Sequence, residues 1–243
     1  MRRFFVNSKD ISKGKIIISA PLKVHHIRDV LRYKEKDTLI LLDETGKEYT
    51  CLIEKISDKI LLNIKETKSS LKNMDKVKIT VACAIPKKSN MDDIIDKLTQ
   101  IGIDRIIPLE SSRVIVKLNP QKRKIRYERW NRIACSSSEQ SLRGSLPVIE
   151  PIKEMKEVLK ESLDYDLKLI PTLYGKRETL KEVLAKSYPK SILILIGPEG
   201  DFTEEEIALA RNAGCIPVSL GDLVMRVETA AVAVASFIRL SFL

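Results

Sequence analysis

Short apolar runs, a few residues each, fill the first seventy or so positions. Phe4-Phe5-Val6, Lys15–Ile18, Thr38–Leu42, Tyr49–Ile53 and Lys59–Ile64 favour extended backbone, and turn material such as Asp43-Glu44-Thr45-Gly46 divides them. They predict a small β-barrel or sandwich. One helical interruption, 24–32, puts Ile27, Val30 and Leu31 on a common face. The polar stretch Lys65–Lys76 predicts a linker.

From Val77 the pattern changes. Apolar runs at Val77–Ala84, Ile106–Leu109, Leu167–Ile170, Ile192–Ile196 and Pro217–Leu220 alternate with helical periodicity at 90–101, 121–141, 153–163, 178–187, 203–213 and 228–242. Strands separated by helices predict parallel pairing through right-handed crossovers. The unbroken Ile192-Leu-Ile-Leu-Ile196 run is that of a strand covered on both faces. The expected division is therefore a β-rich domain over 1–72 and an α/β domain over 73–243.

Ligands of open α/β sheets bind at the carboxyl ends of the strands. Three strand exits carry unusual residues: Pro171-Thr172-Leu173-Tyr174, then Gly197-Pro198-Glu199-Gly200-Asp201-Phe202, then Gly221 to Ala230 with Arg226, Glu228 and Thr229. In the second exit, Gly197 and Gly200 bracket a tight turn. Thr203-Glu-Glu-Glu206 is a capping box that starts a helix, and Gly214 ends it. Taken alone this segment also reads as a plain strand–turn–helix connection. In the third exit, Arg226 and Glu228 read either as working groups or as an ion pair capping the small-residue helix Thr229–Ser236.

Charge adds a partner. The chain of 243 residues has a formal net charge of +10, and residues 1–75, 76–150 and 151–243 contribute +5, +7 and −2. Lys122, Arg126, Arg129 and Arg132, spaced by three or four, lie along one helical stripe. Such a stripe can be a solvated face, but solvation needs no net sign and a polyanion does, so nucleic acid is the expected partner.

Several chemistries drop out. No GxGxxG follows a strand, no GxxxxGK[ST] phosphate loop and no GxSxG elbow occurs, and the two histidines, His25 and His26, lie outside the α/β region. Cys51, Cys83, Cys135 and Cys215 are scattered without a CxxC pair, which predicts reduced thiols and no metal centre. No window approaches 18 uninterrupted apolar residues, and the start MRRFFVNSKD lacks an apolar leader, so a soluble cytoplasmic protein without membrane attachment is expected.

Gly197-Pro198-Glu199-Gly200, followed by Leu220-Gly221-x-x-x-x-Arg226-x-Glu228-Thr229-Ala230, resembles the SPOUT-superfamily methyltransferases that modify N3 of a uridine in bacterial small-subunit ribosomal RNA. The resemblance runs through Arg2-Arg3-Phe4-Phe5, His25-His26 with Val30-Leu31-Arg32, and Pro86-Lys87. It continues through Met91-Asp92, Lys97, Gly102, Arg105, Pro108, Ser112-Arg113, Arg129-Trp130 and Glu139-Gln140-Ser141-x-Arg143. It implies a PUA-like β-barrel over 1–72, an α/β domain with a deep trefoil knot over 73–243, a homodimer, and S-adenosylmethionine as cofactor.

Carried onto this chain, the resemblance implies that Thr172, Leu173, Gly197, Pro198, Glu199, Gly200, Leu220, Gly221, Val224, Met225, Thr229 and Ala230 hold the cofactor, largely through backbone. It casts Arg226 and Glu228 as catalytic residues. It casts Arg2, Arg3, His26, Arg28, Arg32, Arg113, Lys122, Arg126, Arg129 and Arg143 as contacts to ribosomal RNA. Three positions depart from the family pattern: Asp201 replaces a usual glycine, Leu223 a common arginine and Gln100 a usual glutamate. The alternatives to uridine N3 are a knotted methyltransferase with another target (ribose 2′-OH or another base) and a non-catalytic RNA-binding assembly protein.

Overall fold

Buried and exposed positions alternate along Lys15–Ile18, as they do in a strand with one inward face. The computed structural model describes residues 3–69, 77–86, 90–113 and 119–242. It divides into two units, Met1–Met74 with Ser138–Leu146, and Asp75–Ser137 with Pro147–Leu243.

In the first unit, β1 (Arg3–Phe5), β2 (Ile11–Ser12), β3 (Lys15–Ile18), β4 (Thr38–Leu42), β5 (Lys47–Ile56) and β6 (Ile60–Ser69) form one sheet. Its order is β1-β4-β5-β6-β3-β2, antiparallel throughout except for the parallel β1–β4 pair. Phe4, Ile16, Leu39, Leu41, Ile53 and Leu62 fill its core. The linker expected from Lys65 begins later. β6 continues to Ser69 because Glu66 and Lys68 pair with Thr50 and Glu48 of β5, so ladder bonds hold a run whose side chains are polar and exposed. The rest of the expected linker lies outside the described residues.

The helical interruption is α1 (Pro21–His25) continued by a π-helical turn, His26–Val30. That wider turn shifts the helical phase. Ile27 is fully buried and Leu31 partly so, but Val30 is 55% exposed, which corrects the shared face expected of all three. Residues 138–146 complete the unit at β1. The Phe5 amide donates to Glu139 Oε1 at 2.9 Å, Lys23 pairs with the same oxygen at 3.3 Å, and Arg3 donates to the Leu142 carbonyl at 2.8 Å.

The second unit contains β7 (Lys78–Ala84), β8 (Arg105–Glu110), β9 (Val148–Ile149), β10 (Lys153–Glu154), β11 (Leu167–Pro171), β12 (Glu178–Thr179), β13 (Ser191–Ile196) and β14 (Ile216–Ser219). All pairs are parallel, in the order β10-β8-β7-β13-β11-β14-β12, with β9 also against β8. The helices are α2 (Asn90–Ile101), α3 (Pro120–Gln140), α4 (Met155–Lys160), α5 (Leu180–Ala185), α6 (Glu204–Asn212) and α7 (Val227–Ser241).

Successive residues of β13 serve opposite layers: Ile192, Ile194 and Ile196 pack with α2, α5 and α7, while Leu193 and Leu195 pack with α4 and α6. This double burial explains the unbroken apolar run. The capping box forms as expected, with Thr203 Oγ1 accepting from the Glu206 amide at 3.2 Å and the Thr203 amide donating to Glu206 Oε2 at 2.9 Å. Gly214 follows α6 at φ 84°, the left-handed conformation that glycine adopts without strain.

Candidate functional site

β13, β11 and β14 are neighbours in the sheet, so their three exit loops meet at one edge. Between them lies a solvent-open cleft. Of the expected cofactor residues, Thr172, Leu173, Gly197, Pro198, Glu199, Leu220, Gly221, Val224, Met225 and Ala230 line it. Gly200 and Thr229 do not, although Gly200 lies in the β13 exit loop and Thr229 in the first turn of α7. Pro171, Arg177, Ile196, Asp201, Leu223 and Val227 line it too. Among these, Arg177 had no signal in the sequence; its guanidinium donates to the Thr172 carbonyl at 3.0 Å and fixes that loop.

Backbone dominates the lining. Gly221 stands at φ 111°, and a Cβ there would meet no atom within 4 Å, so the turn presents bare main chain. The amides of Leu223, Val224 and Met225 donate to no acceptor among the described residues. Gly197 is the opposite case, since a Cβ on it would stand 3.1 Å from the Phe202 ring and that ring would have to give way. Apolar walls from Ile196, Pro198, Leu220 and Val227 with unused amides between them fit a flat, partly polar ligand the size of a nucleoside.

The charged pair of the third loop does not form an ion pair. Arg226 is the N-cap residue of α7, exposed, and makes no hydrogen bond or ion pair with a described residue. Glu228, half-buried in the first turn of α7, instead has Asn90 Nδ2 at 3.4 Å from its Oε1. Cys83, at the end of β7, has its thiol pushed up by burial and then by the charges of Glu228 and Glu199. Two carboxylates therefore stand near the end of that strand.

The expected RNA contacts separate by what their charged heads already do. In the first unit, Arg3 pairs with Glu48 at 3.0 Å. Arg28 donates to Asp29 and to the Ser57 carbonyl. The hydrogen bonds from Arg28 and His25 hold Asp29 at about 2. His26 is exposed, its ring edge-on to Phe4 with centroids 6.3 Å apart. Arg32 follows the π turn at φ 57° with no partner among the described residues. Arg143 is half-buried, and Arg2 lies outside the described residues.

In the second unit, the Arg113 guanidinium donates to the Gly200 carbonyl, and so grips the cleft loop itself. On α3, Arg129 is held by Asp92 at 2.7 Å, whereas the side chains of Lys122 and Arg126 are unengaged among the described residues.

Comparison with known proteins places these features in a family. Residues 73–239 match the model described as an RNA methyltransferase domain, and residues 23–66 match an RNA methyltransferase PUA domain. Over 98% of its length the chain is 32% identical to ribosomal RNA small subunit methyltransferase E of Rickettsia conorii, of which 95% is covered. The chain belongs to the ribosomal RNA small subunit methyltransferase E family.

As a member of that family it joins a PUA-like sheet to a parallel SPOUT α/β unit, the fold class expected from its sequence. It is 29% identical to the Bacillus subtilis methyltransferase E over 95% of this chain and 93% of that one. The Neisseria gonorrhoeae methyltransferase E, solved bound to S-adenosyl methionine, superposes with a TM-score of 0.83 at 27% identity, covering 99% of this chain and 97% of that one.

Proposed function

We propose that this RNA methyltransferase transfers a methyl group from S-adenosylmethionine to N3 of a uridine in small-subunit ribosomal RNA, as a cytoplasmic homodimer with a trefoil knot around the cleft. In this reading residues 1–72 form an RNA-binding domain and 73–243 the catalytic one. The observation that carries it is the cleft: three adjacent strand exits, backbone-lined, with Arg226 at the N-cap of α7, unpaired among the described residues, and Glu228 held separately by Asn90 in the first turn of that helix. Exposed Leu223, Val224, Phe237 and Leu240 support a second copy of the chain as partner.

S-adenosylmethionine supplies an electrophilic methyl on a sulfonium. The nucleophile is N3 of the substrate uridine, and the chain's residues must activate it. Uridine N3 carries a proton, and its lone pair becomes available only when that proton leaves and negative charge spreads to the flanking carbonyl oxygens. Arg226, with no anion to neutralise it among the described residues, can stabilise that charge. Glu228, oriented by Asn90 rather than by Arg226, remains free to take the proton directly or through water. Arg32, Lys122 and Arg126, unengaged among the described residues, offer cations to phosphates, which position RNA without reading sequence.

The test is incubation of the purified chain with labelled S-adenosylmethionine and small-subunit particles lacking the modification, followed by mass spectrometry of the nucleosides. N3-methyluridine is expected. A methyl on ribose or another base would overturn the target, and no transfer without cofactor uptake would overturn the activity.

A further inference from the structure

One side chain joins the β11 and β13 exits. Asp201 is 6% exposed and stands at φ 61°. Its Oδ2 accepts from Thr172 Oγ1 at 2.8 Å and from the Leu173 amide at 2.7 Å, while Oδ1 accepts from the Phe202 amide at 2.7 Å. Its own amide donates to the Pro198 carbonyl at 2.9 Å. Both carboxylate oxygens are thus engaged across two loops that border the cleft.

The backbone makes this choice of residue informative. Lys13, Arg32, Lys36 and Leu142 also have positive φ, but none is buried; Asp201 alone among the described non-glycine residues is both left-handed and buried. Glycine would adopt that conformation without strain. A Cβ on the neighbouring Gly197 would crowd the Phe202 ring at 3.1 Å first and the Asp201 carboxylate at 3.3 Å next. A strained residue, a glycine opposite it and three hydrogen bonds converge on the same carboxylate.

We propose that Asp201 is a positioning residue that latches the Thr172–Leu173 loop to the Gly197–Phe202 loop, so that the cleft is shaped before S-adenosylmethionine enters. The proposal rests on the cofactor reading above. Because the latch is closed in the free chain, the ligand need not order two loops, and the carboxylate acts on affinity and not on transfer. Asp201 is buried with three donors already on its carboxylate, whereas Glu228 is held by the single Asn90 contact, which separates the two roles.

The experiment compares the full chain with Asp201→Gly and Asp201→Asn. Hydrogen exchange of the ligand-free proteins is expected to show the Leu173 and Phe202 amides opening at least tenfold faster in Asp201→Gly, with β13 amides unchanged. Calorimetry with S-adenosylmethionine is expected to give a Kd at least fivefold higher in both variants, with kcat at saturating cofactor within twofold of wild type. The near-isosteric asparagine, which cannot accept at both positions, carries the test if the glycine variant unfolds. An Asp201→Gly chain that binds within twofold of wild type, or a kcat loss without an affinity loss, would overturn the proposal alone. A wild-type chain that takes up no cofactor would overturn the reading beneath it as well.

Discussion

Asn90, at the start of α2, and Glu228, in the first turn of α7, meet across the sheet edge with Nδ2 and Oε1 3.4 Å apart. That pairing leaves the glutamate independent of Arg226. If Glu228 accepts the substrate proton, Glu228→Gln lowers kcat by about 10²–10⁴ with little change in cofactor affinity. Asn90→Ala, which removes only an orienting donor, costs less, about tenfold or under. Single-turnover rates at saturating RNA and cofactor distinguish the two.

Arg226 is argued to hold charge that exists only as the reaction proceeds. Arg226→Ala should therefore lower kcat by about 10²–10³, the scale on which loss of one oxyanion donor is felt. Arg226→Lys should recover little, because a point charge cannot bridge two carbonyl oxygens as a planar guanidinium does. Thermal unfolding of both variants should match wild type, since the side chain makes no hydrogen bond or ion pair with the described fold. A loss of less than a few-fold in Arg226→Ala would refute the role.

RNA affinity should depend on salt through the cations that the fold leaves unengaged. Replacing Lys122 and Arg126 by alanine is expected to reduce the slope of log K against log salt by about 0.7 for each single-strand phosphate that is no longer neutralised. Arg129→Ala, whose head already pairs with Asp92, should reduce it less. Fluorescence anisotropy with a small-subunit RNA fragment over roughly 50 to 200 mM salt measures all three.

Asp43, 2% exposed, gives the first unit an acid-sensitive anchor. Burial raises its pKa, but bonds from the Thr45 hydroxyl, the Tyr49 hydroxyl and the Lys47 and Thr45 amides outweigh that and hold it below the usual 3.8. A depressed folded pKa means a contribution present in full above the unfolded value and lost as pH falls through the folded one. Asp43→Asn should cost about 1–3 kcal/mol at pH 7, and the gap to wild type should close below the usual aspartate range. Thermal unfolding from neutral pH to about pH 3 tests the sign.

Much of this architecture is written in local pattern. The strands β7, β8, β11, β13 and β14 begin and end within a residue or two of their apolar runs, because a strand buried on both faces is built mainly from apolar residues. α2 runs over Asn90–Ile101, as its periodicity indicates. The cleft is legible for a similar reason: parallel topology fixes which loops share an edge.

Other features depend on partners distant in sequence. Lys65–Ser69 is polar and becomes a strand only because β5 extends beside it. The π turn at His26 moves Val30 to solvent without any breaker residue to announce it. Which arginines remain unengaged is set by Asp29, Glu48 and Asp92, acids that spacing could not assign to them. Asp201 stood out only as a departure. Its bridge to Thr172 and Leu173 required the tertiary structure.

The chain visits its first unit twice. After building β1 to β6 it continues through most of α3 and then returns for residues 138–146, where Glu139 and Leu142 satisfy β1 and Lys23. Such a unit is not a cassette. A gene fusion or recombination event that exchanged only the leading segment would leave the Phe5 amide and the Lys23 ammonium facing acceptors from a foreign helix. The two halves of this protein are thus bound to inherit their changes together, and a swap survives only if the end of α3 travels with the sheet it completes.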